Sequence, residues 1–346
     1  MSRVYDLWEK LVGAVFNREE LRRLALRDSF SSSTFSDYSS GFTSDSSIAY
    51  PVARPIELKE IIKATENFQL DMLIGEGVMC QAFIACIDEH ALTALKPGSG
   101  MAVTVKKWSS MERPQDWLKK IDNLVQLCHP CLVSFVGYYT EEHNMMLVYE
   151  FMPHGRLSDH LFTTRYRSLP WARRIKIAID IARELSYLHE QDIPIIHRDF
   201  KTANVLLDWE LNAKLSNYCY GIDDPTGEMT SIPTRQIFVS PGYTPPEYIS
   251  KGCLTTKSNA YTFGVVLLEL LSGTVVSNLN LEQSYFSQKS KLLQIMDIRL
   301  NGQYPRDAAY KVVKLALKCL NQDPKSRPRM SDVVVALEQF QGYAPM

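Results

Sequence analysis

At 346 residues the chain has room for two ordinary domains, or for one two-lobed unit carrying a tail. Hydrophobic residues make up 45% of it, enough for a sizeable core, while the net charge of −1 lacks the basic excess that nucleic-acid binding by counterion release requires. Seven cysteines in a chain of cytosolic character are expected as reduced thiols, no apolar run approaches the ~20 residues of a membrane span, and the first residues lack the apolar stretch of a secretory signal.

Residues 3–26 read as an amphipathic helix, with Val4, Leu7, Trp8, Leu11, Val12 and Val15 loading one face. Its charges nearly cancel, six basic against five acidic up to Asp28, whereas a helix lying on a membrane carries a basic polar face. Residues 1–28 are therefore expected to dock on a protein. Ser2 stands where N-myristoylation needs Gly, and no cysteine precedes Cys80 to accept palmitate. Residues 29–54 are expected to be a flexible linker: the Ser-rich run at 29–47 has too little apolar surface to offset its ordering entropy, and its hydroxyls are open to phosphorylation.

Alternating segments at 70–75, 81–87, 101–107, 133–139 and 144–149 predict a five-stranded sheet, joined by a helix over 114–127 that Pro114 opens. Beyond a connecting stretch at 149–152 the pattern turns helical, over 157–162, 170–190, 258–273, 307–320 and 331–341. The result is an α+β, two-lobed arrangement: a small β-rich lobe at 70–149, a hinge at 149–152 and a larger helical lobe at 153–343, with a cleft between them for a ligand. Cys128-His-Pro-Cys131 has metal-like spacing, but no second pair supports it and packing is the expected role.

Chemistry enters with His197-Arg-Asp-Phe-Lys-Thr-Ala-Asn204, the catalytic loop of a phosphoryl-transfer enzyme. Val103-Thr-Val-Lys106, Gly75-Glu-Gly77, Glu57–Phe68, the insert 87–101, Leu147–Leu157, Tyr261–Gly273 and Lys325–Met330 accompany it in order. From about Pro55 to Gln341 the chain resembles a plant receptor-like cytoplasmic kinase of the receptor-like kinase/Pelle group. The resemblance implies the bilobal protein kinase fold over 70–343, with 55–69 as an extension leading into it. It also implies ATP as the cofactor, receptor kinases or other receptor-like cytoplasmic kinases as partners, and a cytoplasmic location, peripheral at the plasma membrane through protein docking. Gly75 and Gly77 would cradle phosphates, with Ala82 over the adenine and Lys106 on the α- and β-phosphates. Tyr149 and Met152 would line the linker side. Asp199 would be the base, Lys201 would sit near the transferred group, and Asn204 would be one metal ligand.

Several positions depart from the family. Asn217-Tyr218-Cys219 replaces Asp-Phe-Gly, so the main Mg²⁺ or Mn²⁺ ligand loses its charge and metal binding is expected to be weak or absent. Loss of one such preorganised charge costs ~3 kcal/mol in the transition state. Cys80 stands at the third glycine of the phosphate loop. Lys120 stands where the helix Glu would pair with Lys106, turning an attraction of about 4 kcal/mol into a similar repulsion. Asn259 replaces the Asp that braces the catalytic loop, and Val239 and Pro241 alter the substrate platform. By contrast, Leu124, Phe135, His197 and Tyr218 match an apolar column joining the lobes, and Glu247 and Arg327 match a buried ion pair. Thr230, Ser231, Thr234 and Ser240 are hydroxyls that another kinase could modify, with Arg198 as the partner for the phosphate. Three readings follow: an inactive scaffold, decoy or allosteric regulator in receptor-kinase signalling in defence or development; a weak Ser/Thr kinase; and a nucleotide-binding switch without turnover.

Overall fold

The computed structural model describes residues 53–77, 80–109, 114–127, 129–141, 144–218, 222–223, 230–231, 240, 242–279 and 293–341. The amphipathic segment 3–26, the Ser-rich run 29–47, and Cys128, Cys219, Thr234, Val239 and Pro241 lie outside the described residues. Two units divide the chain: one runs as far as Cys128 and takes up Ser134–Phe151, the other comprises His129–Val133 and everything from Met152 onward.

In the first unit, strands β1 (Arg54–Pro55), β2 (Leu73–Glu76), β3 (Cys80–Ile87), β4 (Met101–Ser109), β5 (Phe135–Glu141) and β6 (Asn144–Glu150) form one sheet in the order β1-β5-β6-β4-β3-β2. Neighbours run antiparallel except β1, which lies parallel to β5. The sheet thus has six strands where alternation predicts five. A two-residue strand is too short to carry a period, and its docking depends on Gly137, where a Cβ would press on the Arg54 carbonyl and the Ile56 side chain. Residues 70–72, expected to begin a strand, form a 3₁₀ turn before β2.

Residues 54–69, the end of the expected linker and the extension, are part of this unit. Helix α1 (Leu58–Ala64) sends Ile61 and Ala64, with Ile56 ahead of it, into one core with Phe83, Ile84, Val103, Val105, Val136 and Val148. Its Glu60 accepts the Ala94 N–H at 2.8 Å, and Arg54 donates to the His90 carbonyl at 2.6 Å, so the insert between β3 and β4 is tied to the segment that precedes the sheet. Helix α2 (Pro114–Gln126) buries Trp117, Ile121 and Leu124, one stripe at helical spacing.

The second unit is helical. Helices α3 (Leu157–Phe162), α4 (Trp171–His189), α5 (Pro246–Lys251), α6 (Thr256–Ser272), α7 (Arg306–Cys319) and α8 (Met330–Glu338) are joined by the short strands β7 (Ile195–Ile196), β8 (Val205–Leu207), β9 (Ala213–Leu215), β10 (Ile222–Asp223), β11 (Thr230–Ser231) and β12 (Cys253–Leu254). Helix α6 is apolar nearly all round, and so it is the central helix of the unit. Its Gly264 lets α7 approach, since a Cβ there would meet Cys319 and the Ala316 carbonyl.

Two buried ion pairs fasten the periphery of this core. Arg327 bonds Glu247 through both guanidinium nitrogens, each at 2.7 Å. Burial opposes ionisation of Glu247, but the bonds from Arg327 and Ser258 outweigh it and hold its carboxyl below the usual range. Arg174 donates to Asp297 and to the Leu169 and Leu270 carbonyls, so its buried charge is fully engaged.

Candidate functional site

The β8–β9 hairpin builds the reactive end of the second unit. Pairing of Val205 with Leu215 brings the residues on either side of the hairpin together, and Ser216 donates both its N–H and its hydroxyl to the Asn204 carbonyl at 2.9 Å. The chain then turns at Asn217, whose φ of +66° is a left-handed conformation that Asn and Asp tolerate better than other side chains. That turn aims the Asn217 amide back at the loop, where Nδ2 donates to Asn204 Oδ1 at 2.9 Å. Asn204 in turn donates through Nδ2 to the Asp199 carbonyl at 2.6 Å and to Asp199 Oδ2 at 3.0 Å.

Asp199 is held on its other side as well. Lys201 Nζ lies 2.8 Å from Asp199 Oδ2 and donates to Ser240 Oγ at 2.6 Å, while Ser240 donates to Asp199 Oδ1 at 3.0 Å. Asp199, Lys201, Asn204, Asn217 and Ser240 therefore make one hydrogen-bonded cluster. Ser240 stands out in the sequence only as a hydroxyl open to modification; it lies 41 positions from Asp199, and no local pattern announces the contact.

Behind the cluster lies a second layer of polar residues. The His197 ring is buried and bonds the Ser216 carbonyl at 2.9 Å, with burial holding its pKa down and the ring neutral. Asn259 accepts the His197 N–H at 2.9 Å and donates to the His197 carbonyl at 2.7 Å. Asn259 thus braces the catalytic loop from the position of the family's Asp: an amide can both donate and accept, so it clamps the backbone of His197 at two points. Its Oδ1 also meets His189 Nε2 at 3.1 Å. Thr202 and Tyr243 both bond Glu269 Oε2, at 3.1 and 2.6 Å. Burial, reinforced by the Glu269 charge, pushes the Tyr243 phenol up; burial likewise raises the Glu269 carboxyl. Sequence reasoning passed over Glu269, although a lone acid inside the apolar run Val265–Leu271 is a signal for a buried, bonded carboxyl. Tyr218 is buried where the family has Phe, and its hydroxyl donates to the Val133 carbonyl at 2.7 Å.

In the first unit, sheet register gathers the expected nucleotide residues. Gly75 pairs with Ala82, Ala82 with Lys106 and Lys106 with Leu147, so these four occupy one row and share one face. Val103 and Val105 point the other way into the core. The Lys106 ammonium lies 5.1 Å from the centroid of the Tyr149 ring, a cation–π contact. Gly77 donates its N–H to the Cys80 carbonyl at 2.8 Å, which ties the residue after β2 to the start of β3. Lys120 is a position of helix α2, but its side chain lies outside the described residues. Met152 is buried at the start of the second unit's main segment.

Asn204 and Asn217, where metal binding is expected to be weak or absent, offer poor donors for a divalent cation. A divalent hard cation favours charged oxygens, and this pair offers two neutral amides. Asn204 Oδ1, the oxygen the ion would use, already accepts the Asn217 N–H. Among the described residues no cluster of three His, Cys, Asp or Glu side chains could hold a metal ion.

Residues 68–337 match the family described as protein tyrosine and serine/threonine kinase. The chain is 46% identical over 310 residues to the probable serine/threonine-protein kinase PBL3 of Arabidopsis thaliana, covering 86% of this chain and 72% of that protein. It is 45% identical to the probable serine/threonine-protein kinase PBL2 of the same plant, over 86% of this chain and 72% of that one. Receptor-like cytoplasmic kinase 176 of Oryza sativa subsp. japonica is 43% identical over 82% of this chain and 75% of its own length.

Proposed function

Because the chain belongs to the protein tyrosine and serine/threonine kinase family, as a relative of the plant receptor-like cytoplasmic kinases, we propose that it is a member that has given up phosphoryl transfer and acts as a scaffold, decoy or allosteric regulator of receptor kinases or of other receptor-like cytoplasmic kinases. A kinase domain implies ATP binding, and the backbone at Gly75 and Gly77 with the Lys106 ammonium are the groups that would hold phosphates. The observation that carries the reading is Asn217: the acid that would neutralise phosphate charge through a metal is an amide, and that amide is spent on Asn204. Docking through residues 1–28 at the inner face of the plasma membrane, in defence or developmental signalling, belongs to the same proposal. No helix among the described residues is long and apolar enough to cross a membrane.

One observation favours a second reading. Asp199 still faces the Lys201 ammonium and the Ser240 hydroxyl, the neighbours a base needs to receive a hydroxyl proton. A weak Ser/Thr kinase would use them. The two readings part in one assay: transfer of labelled γ-phosphate to itself and to a generic protein acceptor, with Asp199→Asn as control. Scaffold function predicts equal, background counts from both proteins and full rescue by Asp199→Asn in a plant lacking the protein. Counts that fall in Asp199→Asn overturn it. Stabilisation by ATP in EDTA, about 2.7 kcal/mol at a hundred times Kd, without transfer, would identify a nucleotide switch.

A further inference from the structure

The bonds of Asn204 have a sense beyond the loss of a metal ligand. Its carbonyl accepts from two groups of Ser216, its Oδ1 accepts from Asn217, and its Nδ2 serves both the carbonyl and the carboxylate of Asp199. Asn204 is buried, 7% exposed, so these bonds have little competition from solvent. In a metal-using member of the family, oxygens at positions 204 and 217 would hold the cation. Here an amide N–H, the positive end of a dipole, lies against the oxygen at 204.

We propose that the Asn217 amide is a built-in replacement for the cation: a clasp that joins the catalytic loop to the segment after β9 in the absence of metal, and makes this part of the second unit indifferent to divalent ions. The inference deepens the reading of a chain without transfer activity and rests on that reading only for its purpose, which is to present a partner with a catalytic loop whose shape does not depend on cation or nucleotide. Geometry makes the clasp directional. Asn204 cannot rotate its amide to suit a different partner at 217, because Nδ2 is already committed to Asp199 at two points. A carboxylate at position 217 would therefore face Asn204 Oδ1 oxygen to oxygen, and would need a cation between them. Asp is also the replacement that the φ of +66° admits.

The test compares wild type, Asn217→Asp and Asn217→Gly by thermal denaturation in EDTA, in Mn²⁺, and in each with ATP added. Wild type is expected to unfold at one midpoint with or without Mn²⁺. Asn217→Asp is expected to unfold earlier than wild type in EDTA and to recover in Mn²⁺ with ATP. Asn217→Gly keeps the backbone conformation and loses the amide; its midpoint should fall by about 2–4 °C, equally in EDTA and in Mn²⁺. The clasp is overturned by a wild-type midpoint that rises with Mn²⁺, by an Asn217→Asp protein no more responsive to Mn²⁺ than wild type, or by an Asn217→Gly protein as stable as wild type. These outcomes separate from those of the transfer assay. Metal-independent transfer would sink the scaffold reading and leave the clasp standing, and a Mn²⁺-responsive but inert wild type would do the reverse.

Discussion

Two cross-links in the second unit make an instructive pair. Arg327–Glu247 keeps opposite full charges and two short bonds at the edge of the helical core. Asn204–Asn217, at the reactive end, keeps one bond of ordinary length between two neutral groups. Both hold segments together, so as architecture they are alike. They differ in what they can do to a phosphate or a metal, where Coulomb energy and not shape decides. The fold therefore tolerates a neutral pair where hydrogen bonds can be made.

The largest effect should come from breaking the charged link. Glu247→Ala leaves the Arg327 guanidinium buried without its carboxylate and should cost about 3–5 kcal/mol, read by urea unfolding; a loss below ~1 kcal/mol would mean that the pair is not load-sharing. Next comes the brace behind the loop. Asn259→Leu strips both the donor and the acceptor from the His197 backbone and should cost about 2–4 kcal/mol. Asn259→Asp, the family's residue, keeps only the acceptor; it should be intermediate in stability and should not raise transfer. If it proved as stable as wild type, the second bond would carry no weight.

A buried acid sharpens the contrast through pH. Glu184 on α4 is fully buried; Oε1 accepts the Leu215 N–H, and Oε2 has no hydrogen-bond partner among the described residues. Burial pushes its carboxyl well above the usual range, the Asp180 charge adding to the effect and the Leu215 bond opposing it. The folded state thus keeps a proton that the unfolded chain releases above about pH 4.5. Stability from this group is whole below that pH and is lost as pH rises toward the folded value. Glu184→Gln should remove the slope, gaining about 1.4 kcal/mol on wild type per pH unit within the window. Parallel pH profiles for the two proteins would refute this. The smallest expected change is Tyr218→Phe, which restores the family residue and deprives the Val133 carbonyl of its bond. It should cost about 1 kcal/mol in equilibrium unfolding and leave cation response unchanged; a stabilised variant would show that the hydroxyl is tolerated and not used.

Much of the fold was legible because periodicity is local. Helix α2 ends one residue short of the expected 114–127, α4 runs Trp171–His189 against 170–190, and α3 falls on 157–162 as expected. Strand β1 was not legible, since two residues have no period and their partner lies 83 positions away. At the site, the resemblance to the receptor-like cytoplasmic kinases identified Asp199, Lys201, Asn204 and Asn217 as the positions to examine, and Tyr218 as the residue at the family's Phe. The contact of Ser240 with Asp199 was not legible, because it spans 41 positions and no nearby pattern marks it. Asn259 was legible through the family resemblance, and the acid in the run Val265–Leu271 marks Glu269 as a buried carboxyl without naming Thr202, 67 positions away, as its partner.

By itself, then, the sequence determined the order of the longer strands and helices, the two-lobed α+β plan and the absence of a carboxylate at position 217. Those follow from side-chain period and side-chain chemistry, which each residue carries wherever it lies. Only tertiary structure decided that the amide at 217 bonds Asn204, that Asn259 clamps the His197 backbone twice, and that the segment before residue 70 joins the first core. A donor's worth depends on which acceptor the fold brings within about 3 Å, and that distance is set by the packing of segments far apart in the chain.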